Sequence, residues 1–229
     1  FTMADNPGLS PEVLARYEAM FRGTFYRRFV LGEWAAAEGL VYDFFGPELV
    51  QPVPESLDGP WYISCDYGTV NPTSMGLWGQ KGGVWYRTAE FYYDSRKTGR
   101  QQTDGEYADD LARLAGGRDI RGVVLDPSAA SFREELIRRG WMVYRAENEV
   151  LSGIRRTAEL LRAGQLVICS PCEDAIREFG LYRWDTAATG DRVVKEHDHA
   201  MDDIRYFAVT VAGRRSEGFF AGAVERGGG

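Results

Sequence analysis

Three aspartates that lie far apart in the sequence each stand where an active-site carboxylate would be expected. Asp66 ends an apolar run at residues 61–66, and Asp126 ends another at residues 122–126. Asp202 lies in the segment 195–203, at the start of a predicted helix. A carboxylate at the end of a buried strand is costly unless a cation meets it, and carboxylate oxygens are the hard ligands that Mg²⁺ and Mn²⁺ prefer. The first hypothesis is therefore a divalent-metal site that cuts or transfers phosphodiesters.

Each of these aspartates also has a purely structural interpretation. Asp66 could form a turn with the two residues that follow it, and Asp126 could cap the next helix. Acids near the start of a helix are stabilised by the helix dipole, which would be a sufficient reason for Asp202. The argument for chemistry therefore rests on the joint placement of all three in one fold.

His199 precedes Asp202 by three residues, so both side chains would lie on the same side of a helical turn. The imidazole could ligate a metal ion, orient a water molecule or move a proton near neutral pH. The alternative is an N-cap or solvent-facing histidine. We predict that His199 belongs to the site together with Asp66, Asp126 and Asp202.

Four further residues are weaker candidates for the same site. Asp198 and Asp203 are close neighbours of Asp202, and the sequence leaves open which of the adjacent acids faces the site. Glu90 lies at the end of the third predicted strand and is a candidate extra ligand. Lys195 could contact a phosphate, or it could merely offset the local negative charge.

Composition excludes several classes of protein. The chain is 44% hydrophobic and 27% charged, as in ordinary globular proteins, and no apolar run approaches the ~20 residues of a membrane span, so we expect no membrane partner. A net charge of −7 argues against a protein that coats DNA by bulk charge, but not against a metal-dependent nuclease, whose clustered acids count as negative. The three cysteines are predicted to be buried or inert thiols in a reducing cytosol.

The elements that must position these residues follow from the pattern after residue 56. Strands are predicted at 61–66, 73–78, 84–91, 123–126 and 142–144, with a short strand or edge extension at 165–169. Residues 80–83 favour a tight hairpin, so the first three strands should be antiparallel neighbours. Helices are predicted at 103–114, 131–139, 152–162, 173–179 and about 199–211, the first with a capping box of Thr103 and Glu106. Residues 182–194 suggest a hairpin with a polar tip.

This order of elements predicts an α/β fold of the ribonuclease H-like type. Its mixed central sheet would have three antiparallel strands and then parallel strands, with helices flanking it. The crossover after the fourth strand should be right-handed, and ligands should bind beyond the strand ends. We assign residues 56–213 to this domain, residues 1–55 to a connector and residues 214–229 to a flexible tail. The chain begins with Phe1 and not with Met, so we expect a piece of a longer protein.

Three segments resemble the nuclease domain of tailed-bacteriophage terminase large subunits: residues 61–73 around Asp66, residues 124–129 around Asp126, and residues 195–206 around His199 and Asp202. Residues 5–7 and 29–42 resemble the segment that joins the packaging ATPase of that family to its nuclease. Asp203 departs from the resemblance, because many relatives carry a small residue there.

The resemblance implies a ribonuclease H-like endonuclease with two Mg²⁺ or Mn²⁺ ions, which cuts concatemeric double-stranded viral DNA during genome packaging in the host cytoplasm. By position, Asp66, Asp126 and Asp202 match the metal-binding acids of the family, and His199 matches a histidine found near the site in some members. The implied partners are double-stranded DNA, the ATPase domain of the same polypeptide, the portal and the small terminase subunit. The segment 182–194 lies where the family is expected to place an element that gates access of DNA.

Two other functions remain compatible with the sequence. A resolvase or transposase of the same fold would use the same acids but would recognise junctions or DNA ends. A docking module of the packaging motor would carry the acids for structural reasons alone. These alternatives differ in whether a divalent cation changes activity or thermal stability.

Overall fold

The computed structural model describes residues 39–185, 187–188 and 191–213, so the predicted tail and most of the predicted connector lie outside the described residues. The strands are β1 (Val50–Gln51), β2 (Trp61–Asp66), β3 (Thr73–Lys81), β4 (Val84–Tyr93), β5 (Ile120–Leu125), β6 (Val143–Arg145) and β7 (Leu166–Cys169). The α-helices are α1 (Ser95–Thr98), α2 (Asp104–Ala115), α3 (Ala130–Arg138), α4 (Val150–Arg162), α5 (Glu173–Phe179) and α6 (His199–Phe207).

The described strands form one mixed sheet in the order β1-β7-β4-β3-β2-β5-β6. Strands β2, β3 and β4 are antiparallel neighbours, and β5 and β6 continue the sheet in parallel beyond β2. On the other side, β7 pairs in parallel with β4, and β1 pairs in parallel with β7. The predicted sheet is confirmed, and the segment 165–169 is an internal strand of it.

The hairpin between β3 and β4 forms where the sequence predicts it. Gly82 and Gly83 have φ angles of 56° and 83°, which a two-residue hairpin turn requires at both positions and glycine adopts without strain. The two strands are longer than predicted, reaching Lys81 and Tyr93, because the hairpin keeps them paired over their whole length.

The start of α2 and the extent of α6 agree with the sequence. The predicted capping box of α2 is present: Thr103 accepts from the backbone of Glu106, and the Glu106 side chain accepts from the backbone of Thr103. Helix α6 starts at His199 as predicted and continues after Phe207 as a π-helical segment, Ala208–Ala212. Within the described residues, no helix is both long enough and apolar enough to cross a membrane.

Helices cover both faces of the sheet and bury two apolar clusters. Helices α4, α5 and α6 contribute to one cluster, and α2 and α3 contribute to the other. Phe207 at the end of α6 stacks on Trp78 of β3 with ring centroids 4.1 Å apart, which fixes α6 against the centre of the sheet. Because α6 carries two of the candidate site residues, this packing decides where they lie. Cys65, Cys169 and Cys172 are free and buried.

The described part of the predicted connector contacts the domain. Tyr42 and Phe45 belong to the cluster under α5, where Phe45 stacks on Phe179 at 3.8 Å between centroids, and β1 extends the sheet. The domain boundary at residue 56 stays a prediction. In the segment 182–194, the described residues include an antiparallel bridge between Trp184 and Val193, as a hairpin requires.

Candidate active site

Strands β2 and β5 end side by side, and a candidate aspartate stands at each end. Asp66 is the last residue of β2, and Asp126 directly follows β5. The strands are parallel with Cys65 opposite Leu125, and the backbone N–H of Asp126 donates to the Cys65 carbonyl at 3.3 Å. Both carboxylates therefore lie at the carboxyl edge of the sheet, where ligands of α/β folds bind.

The start of α6 brings His199 and Asp202 to this edge. His199 Nδ1 lies 2.9 Å from Asp66 Oδ2, so an ionised Asp66 accepts the hydrogen bond and the proton is on Nδ1. The other ring nitrogen, Nε2, is 4.0 Å from Asp198 Oδ1. The structure thus joins the first and third sequence motifs through a direct contact between Asp66 and His199.

A cavity of about 760 Å³ opens over these residues. The candidate residues in its lining are Asp66, Asp126, Asp198, Asp202, His199 and Lys195. Glu90 and Asp203 are not among the described residues that line it. The structure therefore brings together all four residues of the predicted site and two of its four weaker candidates.

The electrostatics of the cavity favour a cation. Burial raises the pKa of Asp66 to about 7; the hydrogen bond from His199 opposes this, while the charges of Asp202 and Asp126 add to it. Burial lowers the pKa of His199, but the hydrogen bond and charge of Asp66 outweigh it, so the net shift is upward. The charges of Asp202 and Asp126 therefore disfavour an ionised Asp66, and a cation beside Asp66 would relieve this repulsion.

Asp126 and Asp202 have different protein partners. Asp126 accepts from the backbone N–H and the hydroxyl of Ser128, at 3.0 and 2.8 Å, in the turn before α3. The N-cap residue of α3 is Ala129, without a side-chain cap bond, so the helix-capping interpretation of Asp126 is wrong. Asp202 Oδ1 accepts from Arg205 Nη2 at 2.9 Å, and its Oδ2 lies 3.4 Å from Lys195 Nζ. Both aspartates thus hold donors that a cation would have to replace or share.

These carboxylates fit a hard divalent cation by the chemistry of their oxygens and by their shared electrostatics. As the side chains stand, no group of three or more His, Cys, Asp or Glu residues in the described ranges is close enough around one point to hold an ion. Each carboxylate instead contacts a protein partner: His199 on Asp66, Ser128 on Asp126 and Arg205 on Asp202. Joint ligation would require rotation of side chains within the cavity.

The chain is similar along most of its length to a solved protein. The large terminase from a thermophilic bacteriophage, solved in complex with ADP, is 44% identical, with a TM-score of 0.73. The match covers 92% of this chain and 54% of that protein. The chain belongs to the large terminase family. It spans about half the length of this relative.

Nuclease domains of other large terminases share the fold of this terminase chain. The P22 domain is 18% identical with a TM-score of 0.61, and the match covers 76% of this chain and 92% of that one. The nuclease from thermophilic phage G20c with bound magnesium is 16% identical with a TM-score of 0.58, covering 76% and 98% respectively. The predicted ribonuclease H-like fold is confirmed. No protein-family model matches the chain, and no curated protein sequence matches it.

Asp203 of the terminase chain faces the sheet, away from the cavity. Its carboxylate accepts from the hydroxyls of Ser64 and Ser74, the first at 2.7 Å. Both its oxygens also contact Arg87, with Nη2 at 3.0 Å from Oδ2, and both side chains of this ion pair are fully buried. Asp203 therefore anchors α6 to β2, β3 and β4, while Asp202 faces the cavity.

Glu90 has a similar structural position. Its carboxylate accepts from the backbone N–H groups of Asp174 and Ala175 at 2.6 and 3.2 Å, at the start of α5. The N-cap residue of that helix, Cys172, makes no side-chain cap bond, so Glu90 satisfies donors that would otherwise be orphaned. These contacts account for Glu90 without a metal ion.

Sequence reasoning missed Glu178, which supports the start of α6. Glu178 is fully buried; its Oε2 accepts from the Ala200 N–H at 2.7 Å, and its Oε1 accepts from the Tyr92 hydroxyl at 2.6 Å. The N-cap residue of α6, Asp198, makes no side-chain cap bond. The signal was a glutamate beside Ala175 and Phe179 on the apolar face of a predicted helix, where a charge needs a reason.

Truncating this glutamate should destabilise the domain. We expect Glu178→Ala to lower the free energy of unfolding by about 3 kcal/mol, because two buried donors, Ala200 N–H and Tyr92 O–H, would lose their acceptor. Tyr92→Phe removes one donor and leaves the other contact in place, so its loss should be about 1 kcal/mol. Urea unfolding of both variants measures the difference, and equal losses would contradict this role for Glu178.

Basic residues also line the cavity of this terminase, although the net charge of the chain is −7. Arg96, Lys97 and Arg177 lie in the lining with Lys195. Arg96 donates to Asn71 Oδ1 at 2.6 Å, and Lys97 Nζ lies 3.5 Å from Asp94 Oδ2. The cavity therefore presents acids at the strand ends and cations beside them, as a site for a metal ion and a phosphate together would.

Proposed function

We propose that this chain is a divalent-metal-dependent endonuclease that cuts concatemeric double-stranded viral DNA during genome packaging. The observation that carries the proposal is the convergence of Asp66, Asp126 and Asp202 on one cavity, in the fold of terminase nuclease domains. The G20c relative was solved with bound magnesium and with bound cobalt, which supports divalent ions at such a site. Two Mg²⁺ or Mn²⁺ ions are the expected number.

The residues of the cavity would have distinct roles in phosphodiester hydrolysis. Asp66, Asp126 and Asp202 would hold the ions, which supply activation of a water nucleophile and stabilisation of the leaving oxygen in phosphodiester hydrolysis. An ionised Asp66 would accept a hydrogen bond from a protonated His199 Nδ1, which would hold the ring with Nε2 on the side of Asp198. Arg96 and Arg177 of the cavity lining would hold the phosphate backbone against the acids.

Cleavage of supercoiled plasmid tests the activity. We expect nicking and linearisation with Mn²⁺ or Mg²⁺ and none with EDTA, because the carboxylates alone cannot stabilise the charge of the reaction. Random nicking would favour a terminase, and preference for junctions or defined ends would favour a resolvase or transposase of the same fold.

Thermal stability separates the nuclease from a docking module whose acids are structural. An ion that binds only the folded chain stabilises it by RT ln(1 + [L]/Kd), about 1.4 kcal/mol at ten times Kd. We therefore expect Mg²⁺ or Mn²⁺ to raise the melting temperature of the parent and EDTA to reverse the rise. A melting temperature that is independent of these ions, together with no cleavage, would favour the docking module.

The expected partners follow from the family. The 44% identical relative was solved in complex with ADP, and the match covers 54% of it, which supports an ATPase domain in the same polypeptide as a partner. The portal, the small terminase subunit and double-stranded DNA are the other partners we propose, with the host cytoplasm as the compartment. The hairpin at 182–194 would gate access of DNA to the cavity.

A further inference from the structure

Two cationic side chains contact Asp202, and they differ in how firmly they are held. Arg205 is 2% exposed, and besides Asp202 it donates to the carbonyl of Glu149 at 3.3 Å. Lys195 is 62% exposed, and its Nζ lies 3.4 Å from Asp202 Oδ2 and 3.2 Å from Asp198 Oδ2. Arg205 is therefore a fixed part of the site, whereas Lys195 is held at the end of an exposed side chain by its contacts with two carboxylates.

The ammonium group of Lys195 bridges two carboxylates, as a divalent cation between them would. Lysine carries a compact point charge on a flexible stem, and an exposed ion pair of this kind is worth little. A second anion that reached the cavity could therefore draw the ammonium away. A cation that approached Asp202 would be repelled by the ammonium group of Lys195, which occupies the carboxylate oxygen that the cation would bind.

We propose that Lys195 exchanges between Asp202 and a phosphate of DNA, so that DNA binding frees the Oδ2 atom of Asp202 for a divalent cation, while Arg205 stays on Oδ1. The inference rests on the proposed function, since it takes a DNA phosphate as the second anion. By linkage, DNA would tighten cation binding and the cation would tighten DNA binding by the same factor. Lys195 is then a positioning residue that couples the two ligands, and it takes no part in the reaction itself.

Lys97 provides a matched control for this role. It lines the same cavity, its side chain is 69% exposed, and its Nζ also pairs with an aspartate, Asp94, at 3.5 Å. That aspartate is not one of the predicted metal ligands. Replacing either lysine by methionine removes one positive charge from the cavity and keeps most of the length of the side chain, but only Lys195→Met removes a charge beside Asp202.

The test is calorimetric titration of Ca²⁺ into the full chain, with and without a short DNA duplex, for the parent, Lys195→Met and Lys97→Met. Ca²⁺ is chosen because it has longer metal–oxygen distances and a more flexible coordination geometry than Mg²⁺. We therefore expect Ca²⁺ to bind the site without supporting cleavage. Without DNA, we expect Lys195→Met to bind Ca²⁺ about three- to fivefold more tightly than the parent, the size of an exposed ion pair. DNA should then enhance its Ca²⁺ affinity less than it does in the parent.

Lys97→Met should match the parent in Ca²⁺ affinity without DNA and should keep the enhancement by DNA. Unchanged or weaker Ca²⁺ binding in Lys195→Met would overturn the inference, and so would equal tightening in both variants, which would indicate bulk charge. If the parent binds Ca²⁺ but the variants do not differ, only the exchange role of Lys195 is lost. If neither Ca²⁺, Mg²⁺ nor Mn²⁺ binds the parent, the proposed function is lost with it.

Discussion

Asp66→Asn is expected to abolish cleavage of supercoiled plasmid in Mn²⁺ or Mg²⁺ while the chain stays folded. The amide keeps the shape and can still accept from His199 Nδ1, but it removes the charge that would hold the cations. Loss of about 4 kcal/mol of transition-state stabilisation corresponds to a rate about a thousandfold lower. The free energy of unfolding should stay the same or rise, because burial and the charges of Asp202 and Asp126 already disfavour an ionised Asp66.

The matched control is Asp110→Asn, a second buried aspartate that lies outside the cavity lining. Asp110 accepts from Gln102 Nε2 at 3.1 Å and pairs with Arg113 on α2. This variant should cleave like the parent. Plasmid cleavage and thermal melting, measured in parallel for both variants, show whether Asp66 is needed for cleavage or for folding. Parent-like cleavage by Asp66→Asn would remove Asp66 from the reaction and with it the central argument for the nuclease.

The parts of the fold that the sequence predicted are those with strong local signals. Gly82 and Gly83 permit a turn that other residues adopt only with strain, so the hairpin and the pairing of β3 with β4 follow from a few residues. Thr103 and Glu106 likewise define the start of α2 through contacts within one turn. Asp66 and Asp126 each end an apolar run in the sequence, so each is predicted to lie at the carboxyl end of a strand. Because these two strands are parallel, their carboxyl ends lie at the same edge of the sheet.

The arrangements that the sequence left open depend on contacts between distant residues. The place of β7 between β4 and β1 follows from pairing with strands that are distant in the sequence. Residues 165–169 contain no local signal that identifies those strands. Asp202 and Asp203 are adjacent acids, and only the packing of α6 on the sheet decides which one faces Arg87. Glu178 supports α6 from another helix, and the sequence around residue 200 does not predict this contact.

Replacing each of the adjacent acids of α6 by alanine should affect different properties, stability for Asp203 and cleavage for Asp202. Asp203→Ala leaves the fully buried Arg87 without its main counter-charge and takes an acceptor from Ser64 and Ser74. Removing one partner of a buried ion pair typically destabilises a protein by about 3–5 kcal/mol, which for a chain of this size lowers the melting temperature by about 10 °C. Asp202→Ala should lose cleavage with a smaller loss of stability, because Asp202 lines the cavity and the buried Arg205 keeps a second acceptor, the carbonyl of Glu149.

Calorimetric or urea unfolding, together with plasmid cleavage, measures both effects. If Asp203→Ala does not fold, the double variant Arg87→Met/Asp203→Leu still tests the ion pair, because an apolar pair of similar size removes both buried charges and should recover part of the lost stability. Cleavage by the folded double variant would show that the carboxylate of Asp203 takes no part in the reaction. Greater destabilisation by Asp202→Ala than by Asp203→Ala would contradict the orientation of α6. It would indicate that Asp202 is the buried carboxylate and that Asp203 faces the cavity.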